Sequence, residues 1–179
     1  FLRTSEFFWH EGHNAFADHD GAQENVMHIM GLYEKFFTEY LAFPGIVGIK
    51  TADETFPGAD QTVCFEAMMQ DGKALQAATS HNLGTNFAKT CNIKYQAKDG
   101  SEQYAHTTSW AFSSRMIGGL IMTHADDDGM IMPPRIAPTQ VMILPIIRDD
   151  ADADKINDYA LKIKADLRAK GILAEVDMR

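Results

Sequence analysis

Residues 62–79, TVCFEAMMQDGKALQAAT, hold two runs of β-prone side chains divided by Gln70-Asp71-Gly72. Glycine and aspartate are suited to a tight chain reversal. A reversal that short joins neighbouring strands only in antiparallel fashion, because a parallel pair needs a crossover of roughly a dozen residues or more. Similar runs flank this one: GIVGIK at 45–50, NIKYQA at 92–97 and EQYAHTTSW at 102–110, each set off by Gly, Asp, Asn or Lys-Asp-Gly. The region therefore predicts an antiparallel sheet. Ahead of it, Asp20 followed by Gln23 reads as a helix N-cap signal, and Val26, Ile29, Met30, Tyr33, Phe36, Phe37 and Tyr40 repeat at helical spacing as far as Pro44. A second helical stretch is predicted from about Ser113 to His124.

The pattern then changes. MIMPPRIAPTQV at 130–141 brings three prolines into six residues and reads as a linker. Beyond it, VMILPII, a helical face of Ile156, Tyr159, Ala160, Ile163 and Leu167, and GILAEVD predict strand, helix and strand, the opening of an α/β unit with a parallel pair. The fold class is α+β, with one domain over 1–135 and the first part of a second over 136–179.

At 179 residues and 45% hydrophobic, the chain can bury a core. A net charge of −9 argues against a surface that is basic all over, and so against non-specific nucleic-acid or membrane binding. Cys64 and Cys91 match neither a metal pattern nor a disulfide framework and read as two core thiols in a reducing, cytoplasmic protein. No apolar run approaches the ~20 residues of a membrane span.

Several chemistries are disfavoured by spacing. His10 and His13 are three apart with Gly12 between them, whereas the zinc-protease helix needs its histidines four apart. There is no nucleophile elbow, and GTNFAK and IGG match neither phosphate-binding glycine pattern. A nucleotide here would have to be held by side chains. Three blocks offer them: Arg3, Phe7 and Trp9; then Gln76, Thr79 and His81; then SWAFSSR at 109–115, ending in Arg115. Singly, each has an ordinary explanation, as a surface ion pair, core rings, a hydrogen-bonded imidazole or a helix-surface charge.

In order along the chain, FLRTSEFFWHEGH, GIKTADETFPGADQT, EAMMQDGKALQAATSHNLGTNFAK and TTSWAFSSRMIGGLIMTHADDDGMIMPPRIAPTQVMILPI resemble successive blocks of prolyl-tRNA synthetases, which are class II aminoacyl-tRNA synthetases. The resemblance runs from residue 1 to about 148 and weakens beyond. It implies part of a catalytic domain over 1–135, an antiparallel sheet flanked by helices from the motif 2 loop through motif 3. It also implies the start of an anticodon-binding α/β domain over 136–179. Motif 1, the first motif 2 arginine and the upstream groups that hold the prolyl amine would lie outside the chain, and no editing domain interrupts the blocks. Alone, such a piece is expected to leave a sheet edge and apolar surface uncovered and to aggregate or fold poorly.

The implied activity is ATP-dependent charging of tRNA(Pro) with L-proline through a prolyl-adenylate, in a cytoplasmic homodimer that uses Mg2+. By resemblance, Arg3 and Thr4 contact ATP, Phe7 stacks on adenine, and Gln76, Thr79, Ser113 and Arg115 complete the nucleotide site, with Arg3 and Arg115 catalytic. Trp9, Glu11, His13 and His81 shape the proline pocket, and Glu66 helps hold Mg2+. Ala111 stands where the family usually has glycine in its SWG triplet, so a methyl group enters space that glycine leaves open. The competing expectation is a synthetase-like regulatory or binding protein that keeps the fold without the chemistry.

Overall fold

In the structure, a computed structural model that describes residues 2–179 with the side chain of Asp150 excepted, the chain divides into two units. The first ends at Ile131 and the second is Met132–Arg179. The first unit is built on β1 (Trp9–Phe16), β2 (Gly45–Ile49), β3 (Gln61–Met68), β4 (Ala74–Asn82) and β7 (His106–Ser113), in the spatial order β1-β7-β4-β3-β2 and antiparallel throughout. The 62–79 reversal is the β3–β4 hairpin. EQYAHTTSW, expected as one strand, is two: β6 (Glu102–Tyr104) pairs with β5 (Lys94–Gln96) in a separate ribbon, and buried Ala105 marks the change of path into β7.

Helix α1 (His19–Lys35) and the wider turn Phe36–Tyr40 that continues it lie across one face of the sheet. Its cap is Asp18, not Asp20: the Asp18 carboxylate accepts the Gly21 N–H at 2.8 Å. Ala22, Val26, Met30, Tyr33 and Phe37 point into the sheet at the spacing of three and four that a helical face requires. They meet Phe65 and Phe112, whose neighbours along the strands face the other way. Two more helices follow, the six-residue α2 (Asn86–Cys91), which no sequence signal announced, and α3 (Arg115–His124). Cys64 is buried as expected, but Cys91 is exposed on α2, which corrects the reading of two core thiols.

Gly12 of β1 marks a close approach. The Trp110 indole lies over it, held by an Nε1–H bond to Asn14 Oδ1 at 2.9 Å, and a Cβ at residue 12 would stand 2.1 Å from the indole ring. Gly12→Ala must push the indole off that bond. It is expected to cost about 1–3 kcal/mol, read as a lowered melting midpoint.

The second unit pairs β8 (Val141–Ile143) in parallel with β9 (Ala174–Val176) through α4 (Ala153–Ala169). A hydrogen bond from Lys164 Nζ to Glu175 at 2.5 Å, with Arg168 beside it, holds the Glu175 carboxyl below the usual carboxylate range. Among the described residues no helix is long and apolar enough to cross a membrane.

Candidate active site

Alternation along the strands puts α1 on one face of the sheet and the sequence-selected polar residues on the other. Cross-strand register groups the latter in rows: Glu11, Ala111, Thr79 and Cys64 in one, His13, Ser109, His81 and Thr62 in the next. Gln76 joins them for a reason invisible in the sequence. It is three residues from Thr79, so regular pleating would send the two to opposite faces. Ala77 is an extra residue in β4 opposite the Phe65–Glu66 step, so Gln76 instead pairs with Glu66, on the face that Cys64 and Thr79 share.

Beside those rows lie the two arginines. Arg115 opens α3 directly after β7 and donates through Nε to the Leu2 carbonyl at 3.0 Å, leaving both Nη groups without a protein partner among the described residues. Arg3 and Arg115 line one cavity of about 150 Å³ with Thr4, Phe7 and Ser113. Neither guanidinium has a carboxylate partner among the described residues, so the cavity presents two uncompensated positive forks suited to phosphate oxygens. A second cavity, about 170 Å³, shares Phe7, Ser113 and Arg115 with the first and continues to Gln76, Thr79, Ala111 and Trp9. The rings of Phe7 and Trp9 meet edge to face at 5.9 Å and are 53% and 57% exposed, so a flat ligand can stack on either.

A third cavity of about 440 Å³ lies farther along the same face, lined by Glu11, His13, Ser109, Phe56, Phe87 and neighbours. Glu11 Oε1 stands 3.2 Å from His13 Nε2. His81 sits opposite Ser109 with its ring 5.1 Å from that of Phe56. Burial, with the Lys50 charge adding to it, pushes the His81 pKa down to about 4, so the ring is neutral near pH 7. The four residues selected for an amino-acid pocket thus fall apart: Glu11 and His13 line this cavity, His81 pairs across the strand with Ser109, which lines it too, and Trp9 lies in the cavity with Gln76 and Arg115. Glu66 lines a separate groove with Lys50, Glu54 and Cys64. Among the described residues no group of three His, Cys, Asp or Glu side chains comes together to hold a metal.

The model of the tRNA synthetase class II core domain (G, H, P, S and T) matches residues 1–124. The chain belongs to this family. Among its relatives are the proline--tRNA ligase of Deinococcus radiodurans, 52% identical over the whole chain and 36% of the relative's length. That of Erythrobacter litoralis is 53% identical over 98% of the chain and 34% of the relative. The chain thus spans about a third of the length of these curated relatives. A prolyl-tRNA synthetase of Cryptosporidium parvum, solved with halofuginone and AMPPNP, superposes with a TM-score of 0.89 at 38% identity, over 99% of the chain and 37% of the other. The same protein with L-proline and AMP gives 0.87 at 39%, over 99% of the chain and 38% of the other.

Within this class II core, Ala111 causes no backbone strain. It lies in the regular strand β7 and is not among the positive-φ residues, which apart from glycine are Ala42 and Asn92 among those described. Its effect is the volume of one methyl group in the cavity that it lines with Gln76, Thr79 and Arg115. Sequence reading singled out neither Ser109, which heads the SWAFSSR block, nor Phe56. Ser109 was accessible, since it shares the two-residue alternation of Ala111 and Ser113. Phe56 was not, because it lies between strands in a stretch with no periodicity.

Proposed function

We propose that this chain supplies the nucleotide- and amino-acid-binding part of a proline--tRNA ligase, and that its second unit begins the anticodon-binding domain. The observation that carries the reading is the cavity in which Arg3 and Arg115, without carboxylate partners among the described residues, meet beside Gln76 and Thr79. In that reading Arg3 and Arg115 hold the phosphates of ATP, Thr4, Gln76, Thr79 and Ser113 supply uncharged hydrogen bonds, and Phe7 stacks on adenine. Trp9, Glu11, His13 and His81 surround L-proline. The prolyl carboxylate oxygen attacks the α-phosphorus, the bond to the bridging oxygen breaks and pyrophosphate leaves with its electron pair. The adenylate then passes its prolyl group to tRNA(Pro). The arginines contribute by positioning and by neutralising charge that grows on phosphate oxygens, which needs no nucleophilic side chain.

A magnesium ion would take Glu66 and phosphate oxygens of the nucleotide. One carboxylate directly opposite Gln76 suits an ion that keeps few protein ligands and screens phosphate charge. Likeness to proline--tRNA ligases and to synthetase complexes with proline, AMP and AMPPNP supports the reading of the face as a nucleotide and amino-acid site. We place the whole protein in the cytoplasm as a homodimer. The test is amino-acid-dependent exchange of ATP and pyrophosphate by the longer protein over a panel of amino acids. Exchange driven by proline above all others is expected. ATP binding without exchange for any amino acid would assign the protein to a regulatory or binding role instead.

A further inference from the structure

We propose that Thr62 is a positioning residue that fixes the His81 imidazole as its Nε2–H tautomer, so that the open side of the ring is a hydrogen-bond donor and not an acceptor. Thr62 lies directly across from His81 in the β3–β4 pair and is 1% exposed. Its hydroxyl oxygen accepts the Phe56 N–H at 3.1 Å and stands 2.9 Å from His81 Nδ1. A hydroxyl has one proton to give, and among the described residues Nδ1 is the only acceptor it meets. Were Nδ1 protonated, the Thr62 oxygen would accept twice and its own proton would be buried without a partner, which folding disfavours. The chain of donation therefore runs from Phe56 N–H to Thr62 Oγ1 and from Thr62 O–H to His81 Nδ1, and the ring proton resides on Nε2.

Nε2 has no protein partner among the described residues. The ring stays neutral near pH 7 because it is partly buried and Lys50 is close. Its N–H is therefore a fixed dipole and not a mobile charge. The same hydroxyl ties the backbone of Phe56, whose ring lies 5.1 Å from that of His81, so one buried group sets two elements at the groove of Glu11 and His13. Resting on the reading of this groove as the amino-acid pocket, the donor is placed to favour an acceptor oxygen of the amino acid over a cationic group.

The tautomer can be read directly from the two imidazole nitrogen resonances of His81 in the longer protein labelled with ¹⁵N-histidine, at neutral pH. The wild type and Thr62→Ser are expected to show a protonated Nε2 and a bare Nδ1. Thr62→Val is expected to move both resonances toward a tautomer mixture. A protonated Nδ1 in the wild type, or resonances unmoved in Thr62→Val, overturns the proposal, and the wild-type spectrum decides even if the valine variant does not fold. In the longer protein Thr62→Val is expected to raise KM for proline about 5- to 10-fold with kcat little changed, while Thr62→Ser restores it. A tautomer as proposed with an unchanged KM supports the Thr62 assignment and counts against the amino-acid-pocket reading alone.

Discussion

In the longer protein, if it is the proposed ligase, Arg115→Ala is expected to lower proline-dependent ATP and pyrophosphate exchange by ~2–4 kcal/mol of transition-state stabilisation while leaving proline binding nearly intact. The size follows from geometry. The Nε–H bond to the Leu2 carbonyl holds the guanidinium in one orientation before any ligand arrives, and its Nη groups face a cavity that offers Arg3 as a second positive group. A preorganised donor of this kind stabilises charge that grows during the reaction without having to reorganise. Arg115→Lys should recover only part of the loss, because an ammonium keeps the charge but not the two-pronged contact. A different outcome is easily told apart. If Arg115→Ala melts earlier but exchanges normally, the side chain merely pins the segment around Leu2.

Phe37→Ala is expected to destabilise the first unit by ~3–5 kcal/mol, against a typical total of about 5–15 kcal/mol for a domain. Phe37 is fully buried and stacks on Phe65 at 5.2 Å and 17° and on Phe43 at 5.6 Å and 11°, with the edge of Phe112 at 5.9 Å. It thus joins the end of α1 to β3, β7 and the segment leading into β2. Truncation leaves a void that three stiff rings cannot fill by small shifts. Phe37→Leu should lose much less, since it keeps most of the apolar volume. A melting midpoint for Phe37→Ala close to that of the wild type would mean that α1 is not anchored through this residue.

How much of this was legible in the sequence depends on the range of the forces involved. The β3–β4 hairpin and the apolar stripe of α1 are local, and their spacing alone revealed them. The order strand, helix and strand with a parallel pair in the second unit was likewise read correctly. Local signals also misled where two candidates competed: Asp18 precedes α1 and Asp20 lies in its first turn, and only the extended backbone angles of Asp18 bring a carboxylate to the Gly21 N–H. The break of EQYAHTTSW at Ala105 depends on a bond from its N–H to the Ile93 carbonyl, a partner far away in sequence.

At the site, the single residues were visible as suitable chemistry, and the resemblance supplied their order. Their common face was not visible. It rests on the extra residue Ala77, which turns Gln76 to the side of Thr79, and on a register that sets Glu11 beside Ala111 and His13 beside Ser109. The buried bond from Thr62 to His81 was hidden for the same reason, since 19 residues and a strand reversal separate the two.

ATP and proline are expected to meet on this one face of the sheet, and a crystal structure of the longer protein with proline and a non-hydrolysable ATP analogue would show it. Phosphate oxygens are expected within hydrogen-bond reach of the Arg3 and Arg115 guanidiniums, the adenine against Phe7, and the proline ring among Trp9, His13 and His81. A nucleotide bound elsewhere, or bound here with its phosphates turned away from Arg115, would contradict that expectation.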